Sequence, residues 1–178
     1  MKTKKIVLTG GPGTGKTSVI QLLEKRNYTI LPEISREVIL QAQKEGIEQL
    51  FLEKPLLFSE LLLEGRIKQY KEAEQGEAEY IFIDRGIPDV VAYMDYFGSE
   101  YPSRFQEVCE IYLYERVFVL PPWEAIYTSD NERYESFDQA KEIHKHIIHT
   151  YSTNGYQPIE VPCGTLEERT SFILEHLP

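Results

Sequence analysis

The segment from Gly10 to Thr17 constrains the fold more than any other part of the chain. Its residues, GGPGTGKT, fit the pattern G-x-x-x-x-G-K-[ST], with an apolar run (Ile6 to Leu8) before it and a helical pattern after it. Glycines let a backbone adopt positive φ and turn successive N–H groups toward an anion at a helix N-terminus. The sequence therefore predicts a phosphate-binding loop (P-loop). The alternative is a Gly/Pro turn between a strand and a helix.

The residue types of this loop also indicate its ligand. Lys16 supplies a positive charge for the β- and γ-phosphates, and the Thr17 hydroxyl is a ligand suited to Mg²⁺. We therefore expect ATP, or GTP, bound together with Mg²⁺, which Thr17 and Asp84 would hold. The predicted nucleotide-binding residues are Gly11, Gly13, Thr14, Gly15, Lys16, Thr17 and Ser18, together with Gly164 and Thr165 from a later loop.

Composition limits the other possibilities. The 178 residues carry a formal net charge of −10, with no basic cluster beyond Lys2, Lys4 and Lys5, so we expect no nucleic-acid partner. The length predicts one domain over residues 1–178. Two cysteines, no recognisable signal peptide and no run of 18 apolar residues lead us to expect a cytoplasmic protein without a membrane span. The oligomeric state is left open.

Apolar patterning alternates between strand and helix along the whole chain. Strands are expected at about 5–9, 29–32, 80–84, 116–120 and 157–161, and helices at about 15–26, 35–44, 55–75, 88–97, 103–109, 137–151 and 166–177. In the long helix predicted to begin at Pro55, Leu57, Leu61 and Leu62 are expected to face inward. Such alternation predicts an α/β fold with a parallel sheet, helices on both faces, and a ligand beyond the carboxyl ends of the strands.

Glu33 follows the second predicted strand and is a candidate general base that accepts a proton from a substrate hydroxyl. The alternative is a charge that complements the dipole of the helix starting there. Arg36, one turn later, would either bind substrate or pair with Glu33, and the sequence does not choose between these roles.

Asp84 is the last residue of the third predicted strand, a position at which P-loop proteins carry a carboxylate that binds Mg²⁺. The alternative is an N-cap of the following helix. Arg85 is predicted to neutralise charge on the acceptor or on the transferred phosphoryl group. Asp89 is either a substrate ligand or a helix-start residue.

The polar, turn-rich segment at about 121–136 is predicted to act as a lid over the phosphates. Arg133, its single arginine, would stabilise charge during transfer. The alternative is a surface loop in which Arg133 pairs with Asp130.

Several motifs in order along the chain resemble a known family. They are Gly10–Thr17, Pro32-Glu33 with Arg36-Glu37, Phe82–Asp89, Leu120–Trp123, Asp130 with Arg133, Gly155-Tyr156 and Glu168-Arg169. Together they resemble the predicted-ATPase family whose P-loop domain groups with the nicotinamide riboside kinase domain of bacterial NAD regulators. The broader pattern is similar to deoxynucleoside and thymidylate kinases, in which a Glu after the second strand serves as base. The resemblance implies a three-layer, nucleoside-kinase-like P-loop NTPase fold with a five-stranded parallel sheet in the order 2-3-1-4-5, and ATP or GTP with Mg²⁺. The chain departs from the better-known kinases because it lacks Glu-Arg-Ser after the third strand.

Two functions of different classes are compatible with these residues. The first is a phosphotransferase acting on a nucleoside-like hydroxyl acceptor, with Lys16, Glu33, Asp84, Arg85 and Arg133 as catalytic residues and Glu33, Arg36, Arg85 and Asp89 as substrate ligands. The second is a nucleotide-dependent switch or slow NTPase that is read by a protein or lipid partner. Glu33 favours the kinase, whereas the single lid arginine favours the switch. An AAA+ motor is disfavoured because Asp84 is not followed by Glu.

Overall fold

The computed structural model describes residues 2–127 and 135–178, which form a parallel β-sheet flanked by helices. The strands are β1 (Lys4–Thr9), β2 (Thr29–Leu31), β3 (Tyr80–Asp84), β4 (Arg116–Val119) and β5 (Ile159–Glu160). The helices are α1 (Lys16–Lys25), α2 (Ser35–Lys44), α3 (Leu50–Glu53), α4 (Pro55–Glu74), α5 (Ile87–Tyr96), α6 (Arg104–Ile111), α7 (Phe137–Thr153) and α8 (Leu166–Glu175), with a 3-10 helix at Glu124–Ile126. The strand order is β2-β3-β1-β4-β5, and this confirms the predicted fold class and topology.

Two apolar cores lie on opposite faces of this sheet and make three layers. Successive side chains of a strand point to opposite faces, so Ile6 and Leu8 pack with α1 and α8 on one face. Val7, between them, packs with helices α4 to α7 on the other face. Because both faces are covered, the central strands are apolar in their middle residues and buried after their first residue.

The strand register brings the chemically interesting residues to one edge of the sheet. Leu8 of β1 pairs with Asp84, the last residue of β3, and Thr9 pairs with Val119 at the end of β4. All strands are parallel, so the loops that follow them leave from the same edge. The P-loop, the Asp84-Arg85 turn and the segment after β4 therefore meet there.

Helix α4 has the predicted position, but its predicted inward face is only partly right. Leu62 is half-buried and packs against the core, Leu57 is half-buried and Leu61 is 41% exposed, whereas Leu63 and Ile67 are buried in the core. The first half of α4 is apolar nearly all round, so its periodicity does not define one face. The four-residue helix α3 was also not predicted, because one turn is too short to show a period.

Among the residues described, no helix combines the length and the apolar character that crossing a membrane requires.

A buried hydrogen-bond network joins three elements beneath the Asp84-Arg85 turn. The carboxylate of Asp89, on the first turn of α5, accepts from the Gly86 N–H at 2.8 Å and from the Tyr151 hydroxyl of α7 at 2.6 Å. It also accepts from the Thr9 hydroxyl at the end of β1. Asp89 is only 2% exposed, so this network holds the Asp84-Arg85 turn through contacts inside the core.

The substitution Tyr151→Phe is expected to lower the free energy of unfolding by about 1.5–3 kcal/mol, because it removes a buried hydrogen bond to a carboxylate. Tyr101→Phe is a matched control, since it removes an exposed hydroxyl-to-carboxylate bond to Asp95 of 2.7 Å. We expect the control to change stability by less than about 0.5 kcal/mol. Urea unfolding followed by circular dichroism measures both variants, and equal losses would contradict the importance of the buried network.

Candidate active site

The P-loop connects β1 to α1 with the backbone conformation that the sequence predicts. Gly13 and Gly15 have φ of +71° and +76°, and Gly15 is the N-cap of α1. A Cβ on Gly13 would lie 2.5 Å from the Tyr127 ring, and one on Gly15 would lie 2.7 Å from the Arg169 guanidinium. These two positions therefore require glycine both for their conformation and for the space around them.

Thr14 is the buried centre of the loop. It is 2% exposed, and its hydroxyl donates to the Gly11 carbonyl at 3.2 Å. The first turn of α1 that follows carries no acidic residue, so nothing there opposes an anion at the helix N-terminus. The arrangement is suited to a phosphate group.

Lys16 and Asp84 form an ion pair between the P-loop and the end of β3. The Lys16 ammonium donates to Asp84 Oδ1, and both residues are buried. Burial lowers the pKa of Lys16, the nearby Arg85 lowers it further, and Asp84 opposes both effects. The pair places an ammonium group and a carboxylate side by side between the P-loop and the end of β3.

The donors available for Mg²⁺ fit that ion. Thr17 is exposed on the first turn of α1, and the carboxylate of Asp84 lies at the adjacent strand end. No group of three or more His, Cys, Asp and Glu side chains converges as a metal site in the described part of the chain. Mg²⁺ in nucleotide sites commonly uses one or two protein oxygens, with phosphates and water completing its shell, so Thr17 and Asp84 are chemically sufficient.

Glu33, two residues after the end of β2, is held by two arginines. Its Oε1 accepts from Arg66 at 3.0 Å, and its Oε2 pairs with Arg85 Nε at 2.8 Å. The N–H groups of Ile34 and Ser35 also donate to Oε1, at 2.9 and 3.0 Å. Burial raises the pKa of Glu33, but Arg66, Arg85 and Lys16 outweigh burial and lower it to about 2. The side chain is therefore a carboxylate throughout the neutral range.

Arg85 occupies a strained backbone position between Glu33 and α5. Its φ is +71°, which is uncommon outside glycine, and its N–H donates to the Leu8 carbonyl at 3.0 Å. The guanidinium donates to the Tyr93 hydroxyl at 2.8 Å and lies 5.1 Å from the centroid of the same ring. Burial acts to lower the pKa of Arg85, but Tyr93 and Glu33 raise it, so the group stays cationic. Such local strain is a recurrent feature of functional sites.

The other predicted substrate residues lie differently. Arg36 is exposed on α2, and the described ion-pair partners of Glu33 are Arg66 and Arg85 instead. Asp89 is committed to the network with Thr9, Gly86 and Tyr151, which favours the helix-start role over the substrate role.

The remaining predicted residues are Gly164 and Thr165, before α8, and Arg133 with its alternative partner Asp130. Thr165 is the N-cap of α8, and its hydroxyl accepts from the Glu168 N–H at 3.2 Å, while Gly164 packs against the Glu168 side chain. Thr165 therefore has a structural role, and its part in nucleotide binding stays a prediction. Arg133 and Asp130 lie outside the described residues.

Two side chains that contact the candidate site, Arg66 and Tyr93, are not among the residues predicted from the sequence. Arg66 is 3% exposed on α4 and donates to the Arg85 carbonyl at 2.9 Å as well as to Glu33. A signal for it exists, because Arg66 stands among the apolar residues Leu63, Ile67 and Tyr70 at helical spacing. A charged residue on an apolar helix face needs a buried partner.

Glu33→Gln is expected to destabilise the protein by about 3 kcal/mol at pH 7, since each unit of pKa depression is worth 1.36 kcal/mol. The folded pKa of about 2 is below the ordinary 4.5, so Glu33 contributes stability above pH 4.5 and loses it as the pH falls toward 2. The difference between wild type and variant should therefore shrink below pH 4.5. Urea unfolding at pH 7, 5 and 3.5 measures it, with the exposed Glu37→Gln as control. A difference independent of pH would contradict the pKa assignment.

Comparisons with known proteins agree with the fold. A family model described as AAA domain matches residues 5–169. Among proteins with curated descriptions, none matches the sequence. Deoxyadenosine kinase from M. mycoides, with products dCMP and dCDP bound, is similar in structure with a TM-score of 0.70 at 17% identity, over 96% of this chain and 97% of that chain.

Two further solved structures share the fold. Thymidylate kinase from Candida albicans has a TM-score of 0.65 at 13% identity, over 98% of this chain and 90% of that one. The NadR protein in complex with NR has a TM-score of 0.69 at 15% identity, and the match covers 97% of this chain but 49% of NadR. At these identities the likeness establishes a common fold. With the family model spanning nearly the whole sequence, the chain belongs to the AAA-domain family of P-loop proteins.

Proposed function

We propose that the chain is a P-loop phosphotransferase that uses ATP, or GTP, with Mg²⁺ to phosphorylate a hydroxyl group of a small, nucleoside-like acceptor. The proposal includes a single nucleotide-binding domain over residues 1–178, a cytoplasmic location and no nucleic-acid partner. The acceptor itself is not identified.

The observation that carries the proposal is the position of Glu33 and Arg85 beside the Lys16–Asp84 pair. A protein that only binds a nucleotide needs the P-loop, the lysine and the metal carboxylate. It does not need a second carboxylate fixed by Arg85 at 2.8 Å and by Arg66 at 3.0 Å. Transfer to an acceptor does need a group that orients the attacking hydroxyl.

In the proposed reaction each side chain has a separate task. Lys16 would exchange its contact with Asp84 for the phosphates, and Asp84 and Thr17 would hold Mg²⁺, which would neutralise phosphate charge. Glu33 accepts a hydrogen bond from the acceptor hydroxyl and orients it for attack. Arg85 lies where it can stabilise the charge that develops on the transferred group.

A second candidate, a nucleotide-dependent switch or slow NTPase, is favoured by one observation. A carboxylate with a pKa of about 2 is a weak proton acceptor at neutral pH. The family is described as AAA domain, but this chain lacks the Glu that AAA+ motors carry after the strand-end aspartate, because Asp84 is followed by Arg85.

An acceptor screen distinguishes the two candidates. ADP release from ATP·Mg²⁺ is measured with nucleosides, nicotinamide riboside and simple sugars, and the phosphorylated product is identified by mass spectrometry. We expect one acceptor class to stimulate release, and Lys16→Ala to lower it by about 10²-fold or more, since the lysine stabilises phosphate charge. Slow release that no acceptor stimulates would support the switch instead.

Asp84→Asn is expected to weaken ATP binding by at least about tenfold in Mg²⁺ and to have little effect in EDTA, because it removes a carboxylate assigned to the metal. Isothermal titration calorimetry under both conditions measures the difference. Asp95→Asn, an exposed aspartate on α5, is the matched control. Equal weakening with and without Mg²⁺ would show that Asp84 acts only by holding Lys16.

A further inference from the structure

Arg169, on α8, reaches from the opposite end of the sequence to the P-loop. Its Nη2 donates to the Thr14 carbonyl at 2.7 Å, across a separation of 155 residues. The residue is 3% exposed. None of the roles assigned above involves it.

The hydrogen bond constrains more than one atom, because a peptide group is planar and trans. In such a group the carbonyl and the following N–H point in opposite directions. With the Thr14 carbonyl directed at Arg169, the Gly15 N–H is directed away from it, at the N-terminus of α1 where the loop donors face an anion. We propose that Arg169 is a positioning residue of the phosphate-binding loop, which fixes the direction of the Gly15 N–H by holding the Thr14 carbonyl.

Close packing leaves the guanidinium little freedom to adopt another arrangement. Its Nη1 lies 2.7 Å from where a Cβ on Gly15 would be, so the arginine fills the space that this glycine leaves. The Trp123 ring, at the start of the segment after β4, lies with its centroid 5.8 Å from the guanidinium carbon on the other side. Arg169 therefore also connects that segment to the loop.

The buried guanidinium of Arg169 is not fully hydrogen-bonded. Within the described residues, Arg169 Nε has no hydrogen-bond partner. An unpartnered buried polar atom is unfavourable for folding. Packing alone would be served as well by an apolar side chain of similar volume, so the charge and the fork of donors are explained by the contact to the loop.

This inference rests on the proposed binding of a nucleoside triphosphate, and it makes a specific claim about which part of that ligand is affected. If Arg169 acts through the Gly15 N–H, its loss weakens the interaction with phosphates whether or not a base is attached. If instead it touches the base, its loss weakens ATP binding alone. Inorganic tripolyphosphate is a ligand without a base and separates the two.

The test is calorimetric titration of the wild-type chain and its variants with ATP·Mg²⁺ and with tripolyphosphate·Mg²⁺. Arg169→Met keeps the volume and removes every donor, and Arg169→Lys keeps the charge but not the planar fork. Arg116→Met is the matched control, because Arg116 donates to the His176 carbonyl at the far end of α8 at 2.8 Å. Thermal unfolding of each variant reports stability separately.

We expect Arg169→Met to weaken both ligands by the same factor, about ten- to a hundredfold, as for loss of a hydrogen bond from a charged group. Arg169→Lys should show a smaller loss of the same kind, and it replaces the methionine variant if that variant does not fold. Arg116→Met should bind both ligands as wild type does. A loss for ATP alone, or a lower melting temperature with unchanged affinities, overturns the inference. Wild-type protein that binds neither ligand overturns the proposed function itself.

Discussion

The site depends on the carboxylates that neutralise its buried cations. Lys16, Arg66 and Arg85 are brought together at the carboxyl edge of the sheet, and Asp84 and Glu33 are their carboxylate partners. A buried charge without a partner is strongly unfavourable, so these carboxylates stabilise the cations around them. Asp89, a third carboxylate beneath the Asp84-Arg85 turn, also raises the pKa of Arg85. The cations are thus gathered at one edge of the sheet in a chain whose net charge is −10.

Much of the fold follows from the sequence, because its main signals are local. The apolar runs of β1, β3 and β4 end at the motifs that matter, and a parallel sheet places those ends together. The P-loop residues and Asp84 are thus predictable. The inward face of α4 is predicted only in part, because its first half is apolar nearly all round, and α3 is too short for a periodic signal.

The less predictable part of the site consists of contacts between distant residues. Arg66 meets Glu33 across 33 residues, Tyr151 meets Asp89 across 62, and Arg169 meets Thr14 across 155. One sequence shows such a residue only as a polar side chain among apolar ones, and it does not show the partner. The same limit explains Asp89, for which the sequence could not distinguish a substrate ligand from a buried helix-start residue. Its partners, Thr9 and Tyr151, are fixed only when β1 and α7 pack around it.

The ion pairs of Glu33 with Arg66 and Arg85 connect substrate binding to proton transfer in the proposed reaction. Burial raises the pKa of Glu33, and the ion pairs with Arg66 and Arg85 lower it by more. A phosphate that drew Arg85 away would remove one of the lowering contacts and leave burial in place, so the carboxylate would become a stronger base while substrate is bound. Phosphoryl transfer has a loose transition state in most analyses. The acceptor hydroxyl therefore gives up its proton only late in the reaction. In the proposed reaction, a Glu33 whose pKa rises when substrate draws Arg85 away is therefore compatible with transfer to a hydroxyl, whereas a pKa that stays at about 2 favours the switch.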